Sequence, residues 1–156
     1  MDINYEFWPA LPLPHDPLHQ SLLMLLGTAL ESSPHELLAD LAYHGLRSPI
    51  QVWLALADGK PVGCKLGYER KPGHYYSWMG GIHPDFRRQG IARELMRRQH
   101  AWCRQLGYQT IRTQTYNRWR SMLILNIQEG FEVIGTMRGT HGLMIVLEKP
   151  LMHAST

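Results

Sequence analysis

No Lys or Arg precedes Arg47, so the amino-terminal stretch lacks the basic region of a secretory leader. The apolar run Leu22–Leu30 is too short to span a bilayer, and a soluble protein with no membrane partner is expected. Cysteine is scarce: Cys64 and Cys103 are the only two. With no C-x-x-C pair they exclude a disulfide framework and a zinc knuckle, and a reducing, cytoplasmic setting fits. His15 and His19 have a ligand-like spacing but no third partner, so no metal is expected. Repeats, low-complexity tracts and linkers are also missing. The 156 residues, 44% hydrophobic, are read as one folded domain over 1–150 with a short tail, 151–156.

The net charge of +3 is mild, but its distribution is not. Arg87, Arg88, Arg93, Arg97, Arg98 and Arg104 crowd one stretch. Aromatic residues do not interleave there as a nucleic-acid surface requires. An anionic small ligand suits the pattern, and no nucleic-acid partner is expected.

Periodicity predicts the elements. Ile3–Trp8 reads as a strand. Asp16-Pro17 opens a helix through about Glu31, and Ser33-Pro34, with Glu36 as a capping-box partner, opens a second that ends near Gly45. Strands follow at Gln51–Ala57, Val62–Glu69 and His74–Ile82, with Asp58–Pro61 as a turn. Gly80-Gly81 inside the third marks a bulge or a close approach of another backbone or a ligand. A helix over 90–106 places Ile91, Leu95, Trp102 and Leu106 on one stripe with Ala92, Met96 and Cys103. A strand from Tyr108, a helix capped by Asn117 and closed by Gly130, and two last strands complete the order β-α-α-β-β-β-α-β-α-β-β. This is an α/β (α+β) fold: a mixed, mostly antiparallel sheet with one central parallel pair, flanked by helices.

Chemistry concentrates in G-G-I-H-P-D-F-R-R-Q-G-I-A-R (80–93). A strand ends, a short loop follows, and Gly90 opens a helix whose first amides have no partners and whose dipole is positive. Gly90 and Ala92 keep that approach clear of side chains. The pattern is a nest for a pyrophosphate.

Ile82-x-Pro84 with Arg87-x-x-Gly90-x-Ala92 resembles the acetyl-CoA signature of the GNAT (GCN5-related) N-acetyltransferases. Asn117 and Asn126-x-x-x-Gly130-Phe131-Glu132 resemble that family's second motif. The resemblance implies a splayed parallel pair with the pantetheine arm in the gap. Ile82 would pair with the arm, and the backbone of Arg88, Gln89, Gly90, Ile91, Ala92 and Arg93 would hold the diphosphate, with Arg87 beside it. Asn117 would touch the arm.

The resemblance also exposes departures. The position of the family's basic Glu falls on Tyr76, and a phenol of pKa about 10 is a poor base at neutral pH; His74 or a water chain stands beside it. An oxyanion donor is expected in the backbone around Gly81-Ile82. The family's acidic Tyr is replaced by Asn126, which can donate a hydrogen bond but no proton, with Tyr116 as a substitute. Tyr75, Tyr76, Trp119, Arg138 and His141 are candidates for the acceptor pocket. The expected activity is acetyl transfer from acetyl-CoA to a primary amine of a small molecule by direct attack in a ternary complex. A protein lysine or N-terminus as acceptor, and a non-catalytic acetyl-CoA sensor, are the alternatives. The edge of the terminal strand can support a homodimer.

Overall fold

The computed structural model describes residues 2–151. Its elements are β1 (Ile3–Trp8), α1 (Pro17–Leu30), α2 (Pro34–Gly45), β2 (Gln51–Ala57), β3 (Lys60–Lys71) and β4 (His74–Ile82). A 3-10 turn (Pro84–Phe86) then leads to α3 (Ile91–Gln105), β5 (Thr110–Tyr116), α4 (Arg120–Gln128), β6 (Glu132–Gly139) and β7 (Gly142–Pro150). The strands form one seven-stranded sheet in the order β1-β2-β3-β4-β5-β7-β6. It is mostly antiparallel, with the single parallel pair β4–β5, as expected. The chain divides into two compact units, Met1–Tyr68 with Met79–Gln99 and Glu69–Trp78 with His100–Thr156.

In the first unit, the Asp16 carboxylate caps α1 by accepting from Leu18 N at 2.9 Å, with Pro17 in the first turn. That combination satisfies one orphan amide and presets the entry angle. Leu22, Leu23, Leu25 and Leu26 form its buried face, which packs with α2. The Ser33–Glu36 capping box does not form, since Ser33 makes no side-chain cap bond; Pro34 alone carries the start signal. Between β2 and β3, Asp58 (φ 50°) and Gly59 (φ 76°) adopt the pair of positive φ angles that matches a two-residue hairpin to strand twist. Val52, Trp53, Leu54 and Ala55 are all buried, as in a strand covered on both faces.

The second unit is organised by two glycine-terminated helices. Gly107 (φ 81°) ends α3, with Gly107 N donating to Arg104 O and Tyr108 N to Cys103 O. Gly130 (φ 100°) ends α4 in the same way, with Gly130 N bonded to Ile127 O and Phe131 N to Asn126 O. Both are Schellman caps, in which the left-handed residue suits glycine. The Gly-Phe pair of the second motif is therefore a helix stop, with Phe131 buried behind it.

Two sequence expectations are corrected here. Asn117 does not cap α4: the helix begins at Arg120 with Trp119 at the cap position and no side-chain cap bond. The backbone explains it, because Asn117 N donates to Leu143 O and so prolongs the β5–β7 edge before a turn closes from Trp119 N to Tyr116 O. Leu106 does not join the buried stripe of α3 either and is 59% exposed, because the helix has already given way to its cap. The tail expected over 151–156 lies outside the described residues from 152 onward. Leu151 itself is buried and tied to Gln109 O by its amide.

Candidate active site

The turn that starts α3 is built from backbone. His83 N donates to Val62 O at 2.8 Å, pinning the end of β4. The His83 ring nitrogen accepts from Asp85 N at 3.1 Å, shaping the 3-10 turn around Pro84. Arg88 (φ 62°) and Gly90 (φ 80°) are both left-handed, and such conformations are what fold consecutive amides into a concave nest. A Cβ at Gly90 would meet nothing within 4 Å, so the space in front of this turn is open. The first bond of the helix is Glu94 N to Gly90 O. The amides of Ile91 and Ala92 precede that bond in the first turn, and Arg88, Gln89 and Gly90 offer no Ser, Thr, Asp or Asn side chain.

The arginines around the turn are less free than their number suggests. Arg87 donates from Nε to Ile82 O at 3.1 Å and from Nη2 to Ala29 O at 3.0 Å. It ties the end of β4 to the last turn of α1. Arg98 pairs with Glu94 at 2.9 Å and lies over the Tyr5 ring. Arg88 and Gln89 are exposed.

Gly80 and Gly81 are required by close packing. A Cβ at Gly80 would stand 2.8 Å from Cys64 O, and one at Gly81 would stand 2.6 Å from Ala29 Cβ. The neighbour anticipated there is the protein itself. Tyr75 meets Trp102 of α3. Ile82 lies beside Ile91 over Gly63. Burial pushes the Cys64 thiol up to about 12.

The second unit places the remaining candidates. Registered β4–β5 pairs run from His74↔Thr110 to Ser77↔Thr113, short of the strand ends at Ile82 and Tyr116, as a splayed pair would require. Tyr76, half-buried, stands in register with Arg112, which holds Glu148 through two bonds of 3.1 and 2.9 Å. His74 Nδ1 lies 2.6 Å from Thr110 Oγ1, at the opposite end of β4 from the α3 turn. Tyr116 is packed edge-on by Trp119 at 4.9 Å and by His141 at 6.3 Å, with Arg118 over its ring. Tyr116, Trp119 and His141 thus gather at one place. Tyr75 does not: it is fully buried between Trp102 and Tyr108. Asn126 is buried, and its Oδ1 has no hydrogen-bond partner among the described residues.

Several buried polar side chains, Lys65, Gln99 and His100 among them, escaped the sequence reading. Lys65 on β3 is 8% exposed. Gln99 on α3 is fully buried, and neither amide atom has a partner among the described residues. Lys149 Nζ donates to Glu129 O at 2.6 Å and lies 3.0 Å from Nδ1 of buried His100. The helical spacing from Leu95 and Met96 to Gln99 and Cys103 carried the signal for Gln99. Among the described residues no group of three or more His, Cys, Asp or Glu side chains could hold a metal. No helix among them is long and apolar enough to cross a membrane.

Comparison with known proteins sets this arrangement in a class. The family model described as Acetyltransferase (GNAT) family matches residues 16–120, and the chain belongs to this family of acyltransferases. Its fold is similar to that of the ribosomal-protein-S18-alanine N-acetyltransferase from Escherichia coli, with a TM-score of 0.77, 15% identity and 97% of both chains covered. A GNAT family acetyltransferase from Elizabethkingia anophelis with acetyl-CoA bound gives 0.73 at 19% identity, over 95% of this chain and 97% of that one. The PaiA N-acetyltransferase from Thermoplasma acidophilum in complex with coenzyme A gives 0.73 at 15% identity, over 96% and 99%. No curated protein sequence matches the chain.

Proposed function

We propose that this acetyltransferase binds acetyl-CoA at the α3 turn and transfers the acetyl group to a primary amine within a ternary complex. The observation that carries the reading is the open start of α3. Its first-turn amides follow a left-handed Gly90 whose side-chain position is open, and the helix dipole adds positive potential there. The diphosphate is assigned to the backbone of residues 88–93, from Arg88 to Arg93, with Arg87 beside it, and the arm to the exposed edge of β4 near Ile82. From the second motif, Asn117 is assigned to the arm, and Asn126 and Tyr116 to the neighbourhood of the sulfur.

In the reaction the amine nitrogen attacks the thioester carbonyl, the C–S bond breaks, and the sulfur leaves with the electron pair. The acceptor must first reach its neutral form, because an ordinary amine is protonated at pH 7. Tyr76 lies on β4, at the position of the family's base. As a phenol it serves better to orient a water that takes the proton than to take it itself.

Calorimetry with acetyl-CoA, followed by thiol-release assays across a panel of small amines, tests the reading. Small-molecule amines are the acceptor class placed first; peptides with a free N-terminus or lysine form the second arm. Tight binding without turnover in either arm would replace the enzyme by a sensor. Absence of binding would remove the site.

A further inference from the structure

Lys65 stands in the middle of β3 in the run V-G-C-K-L-G, where every residue is buried. It is 8% exposed, and its ammonium makes no hydrogen bond to any described residue. A lysine this buried is rare in a strand interior. The stem runs directly over Gly80: a Cβ there would come within 3.0 Å of Lys65 Cδ. Gly80 thus keeps a lane open for this side chain beside β4, and the amine lies two bonds beyond Cδ. That stretch of β4, between the last registered pair at Ser77 and Ile82, is where the coenzyme arm is assigned above.

We propose that Lys65 is a catalytic group of this enzyme: its ammonium faces the coenzyme sulfur and protonates the thiolate as it leaves. The proposal rests on the acetyl-CoA reading. The acceptor nitrogen forms the new bond to the acetyl carbon, and the C–S bond breaks with its electron pair moving to sulfur. The Nζ proton of Lys65 passes to that sulfur to give free coenzyme thiol. The acceptor's surplus proton goes to water, and Lys65 regains one from water before the next turnover.

The energetics suit that role. Burial pushes Lys65 down to about 8, and Cys64 is the one titratable neighbour that acts on it. A thiol ordinarily titrates near ~8.5 and an exposed lysine near ~10.4, so burial brings donor and acceptor close to balance. At neutral pH the amine is still mostly charged and able to donate. The role also fills the place left by Asn126, which cannot give up a proton.

The test compares wild type with Lys65→Met and Lys65→Arg, using coenzyme A and desulfo-coenzyme A as ligands. An ammonium beside the sulfur stabilises the thiolate. In wild type, calorimetry from about pH 6.5 to about pH 8 is expected to show preference for coenzyme A over the desulfo form rising about tenfold. Lys65→Met should bind both forms equally at every pH and melt no lower than wild type. Lys65→Arg should keep the preference but lose turnover, since a guanidinium does not release its proton. An unchanged preference in Lys65→Met, with coenzyme still bound, overturns the proposal. So does a stable acetyl group found on Lys65 by intact mass after incubation with acetyl-CoA alone, which would make it a nucleophile. If wild type binds neither ligand, the coenzyme reading falls first and takes this one with it.

Discussion

Around the start of α3 the working groups are amides, held by a left-handed Arg88 and Gly90 and opening on empty space. Around Tyr116 and α4 they are side chains: a phenol ringed by Trp119, His141 and Arg118, and a buried carboxamide with an unpartnered oxygen. Backbone amides are the same in every sequence, so the first region depends on conformation and on what is kept out of the way. The second depends on which side chain is present, and there the chain departs from the family pattern. A diphosphate site can therefore survive extensive sequence change, while the groups that move protons are replaced one at a time.

The sharpest way to break this contrast is at Gly90. Gly90→Glu places a carboxylate in the open space before the first-turn amides and should weaken acetyl-CoA binding by about 100-fold or more. Gly90→Ala meets no neighbour, so only the left-handed backbone is penalised, by about 1–2 kcal/mol of folding stability. Its coenzyme affinity should stay within about threefold of wild type. Calorimetry and urea unfolding on the pair separate the two effects. If alanine weakens binding as much as glutamate, backbone strain rather than anion repulsion explains the loss, and the nest assignment fails.

Lys65 offers the next largest effect, on stability. Its amine titrates lower in the folded protein, about 8, than in the unfolded chain, about 10.4. Between those values the unfolded chain binds the extra proton, so this group's penalty on folding builds as pH falls from about 10.4 towards 8 and is relieved as pH rises. Lys65→Met removes that dependence. Its stability advantage over wild type should shrink by about 2 kcal/mol between pH 8 and pH 10. Cys64 and Tyr108, both pushed up to about 12, act in the opposite direction. Tyr108 does so equally in both proteins, whereas Cys64 and Lys65 act on each other, so the difference reports the Lys65–Cys64 pair. An advantage that stays constant over that range would mean Lys65 is not desolvated.

The legibility of the fold follows the same division. Asp16-Pro17, Asp58-Gly59, Gly107 and Gly130 announced helix and hairpin ends because each satisfies a local backbone demand. Gly80-Gly81 announced the close approach for the same reason. The start of α4 was misread because Asn117 has the chemistry of a cap, and only the long-range bond to Leu143 O shows that its amide belongs to the sheet. Lys65 and Gln99 were missed because burial of a polar residue is decided by partners distant in sequence. Tyr75 was misplaced on the same account, since its aromatic neighbours Trp102 and Tyr108 lie beyond any local pattern.

Asn126 sharpens the side-chain half of the comparison. Asn126→Leu deletes a buried oxygen without a partner and should leave folding unchanged or more stable by about 1 kcal/mol. Turnover should fall by less than about tenfold, as expected for one lost neutral hydrogen bond near sulfur. A drop of three orders of magnitude would place the essential proton transfer at α4 and not on β3.

Arg87 carries the smallest expected change and tests whether the signature arginine acts through charge or through scaffolding. Its guanidinium is engaged by Ile82 O and Ala29 O, acceptors that neutralise none of its charge but fix its direction. Arg87→Met removes both bonds from a solvent-exposed side chain, so stability should fall by about 1 kcal/mol. Coenzyme affinity should change by no more than about threefold, with the same salt dependence as wild type. A larger loss accompanied by weaker salt dependence would show the guanidinium swinging off the two carbonyls onto a phosphate. The strut between α1 and β4 would then be a resting position that ligand binding exchanges for an ion pair.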